Sequence, residues 1–532
     1  MRLLRPLRVV GLALLIVLVV GGLAGFFALR ASLPQVDGTI ANARITAPAA
    51  IERDAEGTPV LRARTRADLA FATGFAHGQD RYFQMDLMRR AAAGEMAELL
   101  GASMLETDRR LRVHGFRRVA REVLAAATEN DRALLDAYSA GVNFALSQAA
   151  AKPWEYLLLG AKPAPWLPED SLLAAFSMYL NLNDSSGSEE LMRLQLRDAL
   201  PPAMFAFIAP LGTEWDAPIS GGTIRSATIP GPEVFDLRDG GPRSAALLAP
   251  RSTELLEEKN YVGSNSWAVA GSHTADKRAL LANDMHLGLR LPHVWYRARM
   301  IVDAEGDKRR DLVGVTLPGL PVLIVGSNGH VAWGFTNSFG DWTDLVIVER
   351  DPNDASRYLT PEGSEPFEVH QEVLKVKDGK DETLTVMATR WGPVVGEDTS
   401  NRPLALAWTA HFAQATNLRM LDLETADTVD EALLVANRSG VPAQNFLAVD
   451  ASGRIGWTLM GQVPVRGNYD STLPYLWNTP DAGWNGWRKP EEYPRIVDPQ
   501  AGRLWTANAR TVDVETWLSF MGDGMYDNGA RA

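Results

Sequence analysis

The stretch Tyr261-Val-Gly-Ser-Asn-Ser-Trp267 most constrains this chain, because it sets a polar turn against the start of an apolar run. The cluster Gly263-Ser-Asn-Ser266 precedes Trp267-Ala-Val-Ala270, then a charged loop from His273 to Arg278 and the apolar Ala279-Leu-Leu-Ala282. That pattern reads as a strand, a turn and a second strand. Ser264 is thereby placed at the beginning of a strand.

A serine hydroxyl is a poor nucleophile at neutral pH and needs a neighbouring base. Neither a G-x-S-x-G elbow nor an S-x-x-K pair occurs in the sequence. One arrangement left is a serine that becomes the first residue of a new chain once the Gly263-Ser264 bond is cut. Its α-amino group, with a reference pKa of about 7.7–8, is partly neutral near pH 7 and can serve as the base. Gly263, lacking Cβ, can take the strained backbone needed for the hydroxyl to attack the preceding carbonyl. On spacing alone, Gly-Ser-Asn is equally a turn tripeptide.

Three motifs in order carry a resemblance. Gly263-Ser-Asn-Ser-Trp267, Leu281-Ala-Asn-Asp-Met-His-Leu287 and Val325-Gly-Ser-Asn-Gly-His-Val-Ala-Trp-Gly-Phe-Thr-Asn-Ser338 resemble successive motifs of the penicillin acylase family, a branch of the N-terminal-nucleophile hydrolases. The similarity runs from about Val36 to the last residue. It implies a four-layer α/β/β/α sandwich with antiparallel sheets. It also implies a segment at 1–35 that directs export, a largely helical small chain at 36–216, a linker propeptide at 217–263 and a large chain from Ser264 to 532. The two cleaved chains would remain together as a heterodimer.

Composition narrows the alternatives. The net charge of −12 offers no basic surface for nucleic acid. With no cysteine, disulfides, Cys-ligated zinc and a thiol nucleophile are excluded together. No H-E-x-x-H motif or tight His cluster occurs among the eight histidines, which weighs against a metal-dependent hydrolase. No organic cofactor is expected.

The N-terminus argues for export. Arg2, Arg5 and Arg8 precede an uncharged run from Val9 to Leu29, closed by Arg30. That run is long for a signal h-region and long enough to span a bilayer. A removed signal peptide and a retained signal anchor at 9–29 both fit, and either places the remainder outside the cytoplasmic membrane, as a periplasmic or exported protein.

Further along, a helical pattern opens at Asp68 and carries Phe71, Phe75, Tyr82, Phe83 and Met88 at close to helical spacing. His77 and Asp80 within it read as structural. Helical patterns follow at Glu129–Ala149 and Pro168–Leu182, and Ser188 is placed as the N-cap of another helix. Pro218 to Gly263 shows no sustained period, as expected of a linker or a propeptide. After Ser264 the chain is strand-rich, with Asn328-Gly329 marking a hairpin. Thr428 and Glu431 have capping-box spacing.

The resemblance assigns the site residues. Asn337 would present its backbone N–H to the oxyanion, and Asn508, in Gly502-Arg-Leu-Trp-Thr-Ala-Asn-Ala509, would complete the hole with its side chain. His286, 22 residues after Ser264, matches the position that contacts and orients the nucleophile's amino group. Arg531 stands where the family has an active-site arginine. Glu189, Asp341, Thr343 through its carbonyl, and Asp344 would bind one structural Ca2+ away from the chemistry; helix capping at Glu189 and a solvated turn at 340–344 read the same residues otherwise. The family's larger chain continues well past the Asn508 motif, so the resemblance implies a chain that stops short. The expected activity is hydrolysis of a small N-acyl amide, such as a β-lactam side chain or an acyl-homoserine lactone. The alternative is a catalytically impaired or non-catalytic exported protein on the same scaffold.

Overall fold

The computed structural model describes residues 4–41, 43–236, 263–303, 309–398, 400–522, 526 and 529–532. The expected linker therefore lies partly outside the described residues, from 237 to 262.

Helix α1 (Leu4–Ala31) is the N-terminal apolar run. Its stretch Val10–Ala31, 22 residues of hydropathy 2.8, buries none of its residues among the described ones. At 1.5 Å per residue it is about 33 Å long, matching a hydrocarbon core of about 30 Å.

Helix α2 (Arg66–Ala93) begins at Thr65, whose hydroxyl accepts from the Asp68 N–H at 3.0 Å, and ends at Gly94 with φ 64°. It is buried on most sides, as its lack of a polar stripe requires. Helix α3 (Glu129–Gln148) crosses it closely. A Cβ on Gly74 would lie 2.1 Å from the Tyr138 carbonyl oxygen, and one on Gly141 2.0 Å from that of Phe71, so the crossing needs both glycines. Helices α4 (Trp154–Leu158), α5 (Pro168–Leu182) and α6 (Ser188–Ala199) follow. Asp184, not Ser188, caps α6, its carboxylate accepting from the Glu189 N–H at 2.9 Å. The N-cap itself is Gly187.

The principal strands are β1 (Ala50–Arg53), β2 (Pro59–Ala63), β3 (Asn265–Val269), β4 (Leu280–Asp284), β5 (Tyr296–Val302), β6 (Arg310–Thr316), β7 (Leu323–Ser327), β8 (Val331–Asn337), β9 (Thr343–Ile347), β10 (Pro403–Trp408), β11 (Gln444–Asp450), β12 (Ile455–Met460), β13 (Arg495–Val497) and β14 (Arg503–Thr506). The large sheet runs β1-β2-β5-β6-β7-β8-β11-β12-β13, antiparallel except where β2 meets β5. A smaller sheet, β14-β3-β4, lies on it.

The period of two along β11 shows how the layers stack. Phe446 and Ala448 face a core shared with Leu69 of α2, Ala174 of α5 and Leu433 of helix α7 (Val429–Arg438). Leu447 and Val449 face the opposite core, with Ala268 of β3, Leu504 of β14 and Trp517 of helix α8 (Val514–Met521). Helices, large sheet and small sheet stack in that order, and Trp517 of α8 enters the core between the two sheets. Thr428 caps α7 through the Glu431 N–H at 3.2 Å, while the Glu431 carboxylate reaches back to the Asp427 N–H.

Candidate active site

Ser264 is the residue immediately ahead of β3, buried where the small sheet meets the large one. Thr506 of β14 pairs with Ser266. Continued two residues, that antiparallel register sets Asn508 opposite Ser264. The Asn283 amide of β4 fastens the sheets together: Nδ2 donates at 3.0 Å to the carbonyls of Asn265 and of Phe335 in β8, and Oδ1 accepts from the Phe335 N–H at 3.2 Å. A Cβ on Gly334 would lie 2.8 Å from the Asn283 side chain, so β8 needs glycine there. Sequence reasoning quoted Asn283 within a motif and gave it no role, because only sheet stacking reveals one.

The Ser264 hydroxyl accepts from the backbone N–H of His286 at 3.2 Å. The imidazole itself turns to Asp284, donating from Nε2 to Oδ2 at 2.6 Å. In this uncleaved chain His286 thus meets the nucleophile through its main chain, not through the ring, and the nitrogen of Ser264 is still a peptide nitrogen.

Asn508 has φ 66°, a left-handed conformation that asparagine tolerates better than most residues. Its Nδ2 donates to the carbonyl of Asn337 at 2.9 Å, and its Oδ1 accepts from Arg531 Nη2 at 3.0 Å. Arg531 Nη1 donates to the Ser264 carbonyl at 3.3 Å. The guanidinium covers Gly263 so closely that a Cβ there would lie 1.8 Å from Nη2. Asn337 is the last residue of β8, and its own side chain donates to the Leu182 carbonyl at 2.8 Å. Ser264, Asn508 and Arg531 are thus joined, with Asn337 held against Asn508.

An apolar cavity of about 90 Å³ ends on Ser264 and Asn337. Met178, Leu182, Trp295, Leu317, Leu320 and Met420 contribute to its walls, and among the described residues no charged side chain lines it.

Away from that cavity, Glu190, Asp341 and Asp344 each bring a carboxylate oxygen within 4.8 Å of the others, all buried. The sequence-based set placed Glu189 here; the carboxylate that joins the two aspartates is that of the neighbouring Glu190, whose Oε1 also accepts from the Leu345 N–H at 2.9 Å, while the charge of Glu189 also reaches Asp341. Asp344 Oδ2 accepts from Trp484 Nε1 at 2.7 Å and from Tyr469. Burial, and then the charge of Asp344, push the Asp341 carboxyl well above the usual carboxylate range. Asp341 Oδ2 has no hydrogen-bond partner among the described residues and lies 3.7 Å from Arg466 Nε. Buried acids this close fit a hard cation. Thr343, first in β9, lies between the two aspartates in the chain and is buried with them.

His77 and Asp80 are structural, as expected. His77 is buried between the Tyr138 hydroxyl at 2.8 Å and Thr316 Oγ1 at 2.9 Å, and burial followed by the charge of Arg81 lowers its pKa to about 3. Asp80 accepts from Arg53 and from the Tyr296 hydroxyl at 2.6 Å.

Stacked antiparallel sheets with a glycine-preceded serine just ahead of an inner strand match the layout expected of an N-terminal-nucleophile hydrolase. Residues 48–532 match the penicillin amidase family, and the chain belongs to it. It is 33% identical over 493 residues to the penicillin acylase 2 proenzyme of Pseudomonas sp. (strain SE83), covering 91% of this chain and 61% of that one. It is 30% identical over 495 residues to the acyl-homoserine lactone acylase QuiP of Pseudomonas fluorescens (strain Pf0-1), covering 90% and 58%. With penicillin G acylase of Escherichia coli the identity is 25% over 516 residues, covering 85% and 58%. The chain thus spans about six tenths of the length of these relatives. A solved penicillin G acylase from Alcaligenes faecalis overlaps 46% of this chain at TM-score 0.41 and 23% identity.

Proposed function

We propose that this chain is an exported precursor that cuts itself at Gly263-Ser264 and then hydrolyses the amide bond of N-acyl compounds whose acyl group carries no charge. The observation that carries the reading is Ser264 lining an apolar cavity that has no charged side chain among the described residues, beside the Asn508 amide. In the first step Ser264 Oγ attacks the Gly263 carbonyl carbon, the peptide C–N bond breaks, and water hydrolyses the resulting ester. The α-amine of Ser264 is released.

In the second, Oγ attacks the substrate carbonyl and passes its proton to that amine, directly or through a water. The oxyanion is held by the Asn337 N–H and by Asn508 Nδ2, which would leave its bond to the Asn337 carbonyl. The amine product departs with the proton, and water releases the acid from the acyl-enzyme. A wall of Met, Leu and Trp without a cation favours apolar acyl groups over carboxylated ones such as glutaryl. The named relatives, penicillin and acyl-homoserine lactone acylases, support this class of substrate.

Glu190, Asp341 and Asp344, with the Thr343 carbonyl, would hold one Ca2+. When bound it neutralises buried acids that link α6 to β9, and it takes no part in the reaction. Helix α1 stays as an anchor: the Ala151 N–H bonds the Ala31 carbonyl at 3.2 Å, and Gln79 bonds that of Gln35 at 3.0 Å, tying the end of α1 to the body.

Intact mass tests the central step. The expected result is two polypeptides, one beginning Ser-Asn-Ser-Trp, and a single inactive chain for Ser264→Ala. Two fragments from that variant would overturn the reading.

A further inference from the structure

Where α1 ends, a groove of about 730 Å³ opens, lined by Ser32, Leu33 and Pro34 just after the helix, by α2, and by Arg290, Leu291 and Pro292. Its lining is mixed, with Arg81 and Glu155 among the polar residues, but large apolar side chains stand exposed around its edge. Leu291 is 99% exposed and Leu289, two residues earlier, 100%. Trp154 of α4, also lining the groove, is 50% exposed, and Leu158, one helical turn on, 79%. A soluble surface rarely groups large apolar side chains in this way.

We propose that this rim is a membrane-docking surface, its occupant the outer face of the same bilayer that α1 crosses. The inference rests on the reading that α1 is retained. Three observations select lipid. The rim surrounds the point where the chain leaves the apolar helix, so it faces the membrane plane. Trp154 and Leu158 stand four residues apart on one face of a short helix, an apolar edge with an amphipathic ring suited to the interfacial zone. Arg290, exposed between Leu289 and Leu291, sets a cation where leucines entering the acyl region would bring it to headgroup phosphates. The docked loop also walls the acyl cavity, since Met285, Leu287 and Trp295 at its two ends line the space beside Ser264. Docking would hold that wall against the membrane surface.

The chain contains no cysteine, so single labels can be placed without background. Full-length Leu291→Cys and Leu289→Cys, each carrying an environment-sensitive fluorophore, are reconstituted into phosphatidylethanolamine and phosphatidylglycerol vesicles with nitroxide-labelled lipid. A third label at Val369→Cys, on the strand Glu368–Leu374, serves as the exposed control. Blue-shifted emission and quenching at 289 and 291, with neither at 369, is the expected result. Water-like, unquenched emission at 289 and 291 in chains that float with the vesicles overturns docking and leaves the anchor standing. A blue shift without lipid quenching assigns the rim to a second copy of the chain and also overturns it. Chains that do not float overturn the anchor, and docking with it.

Discussion

Arg531 Nη2 lies 3.0 Å from Asn508 Oδ1 while Nη1 of the same guanidinium lies 3.3 Å from the Ser264 carbonyl. One side chain therefore sets which end of the Asn508 amide points where. A guanidinium only donates, so Oδ1 is held toward Arg531 and Nδ2 is directed the other way. An asparagine with its amide reversed would offer an oxygen to an oxyanion and repel it.

Loss of the Asn508 amide should lower kcat by about 10²–10³-fold with little change in KM, the effect of deleting one oxyanion donor. Because Asn508 has φ 66°, Asn508→Ala adds backbone strain that Asn508→Gly does not. Equal losses in both variants, measured on processed enzyme, assign the effect to the amide. Loss in the alanine variant alone assigns it to the strain. Arg531→Lys keeps the charge without the two-pronged fork and should lose less than Arg531→Ala.

Gly263→Ala should slow self-cleavage without preventing folding. The added methyl would lie 1.8 Å from Arg531 Nη2, the far end of a flexible side chain, which can swing aside. Doing so releases the Ser264 carbonyl and the Asn508 amide. The time course of precursor loss by intact mass checks this. Adding Arg531→Ala to Gly263→Ala should produce no further slowing beyond that of Arg531→Ala alone, and independent, multiplying effects would refute the shared cause.

How far the site was readable from sequence follows from which contacts are local. The hairpin at Asn328-Gly329, the helix start at Thr428 and a serine opening β3 all depend on neighbours in the chain, while the helix expected from Asp68 starts three residues earlier, at Thr65. Glu189 and Glu190 are about 100° apart around a helix, and nothing local says which of them faces β9. Asn283 was silent because two of its three bonds reach Phe335 of β8, a strand that β4 meets only when the sheets stack. The cap of α6 was misplaced by four residues because Asp184 reaches forward across a turn to the Glu189 N–H.

The metal reading separates those two glutamates. Glu190→Gln should abolish any rise in melting temperature on adding Ca2+ to chelator-treated protein, and Glu189→Gln should leave most of that rise. Ca2+ at 100 times its Kd adds about 2.7 kcal/mol to the folded state. The opposite ranking would return the site to Glu189. No rise in the unaltered protein would remove the ion.

Acid should destabilise the fold through a buried histidine pair. The His411 Nδ1–H donates to the Leu406 carbonyl at 3.2 Å, which leaves His411 Nε2 to accept from His114 Nδ1 at 3.1 Å. Burial lowers His114 to about 4, and burial together with His114 puts His411 well below the ordinary value of 6.5. Both rings are neutral in the fold and become charged near pH 6.5 when unfolded. Below that pH the unfolded chain binds more protons, so stability is complete above about 6.5 and falls as pH drops, for His114 until about 4. Each ring contributes a slope of about 1.4 kcal/mol per pH unit in that window. His114→Phe should lower the melting temperature at pH 7.5, since His411 loses its donor, yet flatten the decline between pH 6.5 and 4. A variant whose melting temperature falls as steeply as that of the unaltered protein would show that His114 is not a source of the acid sensitivity.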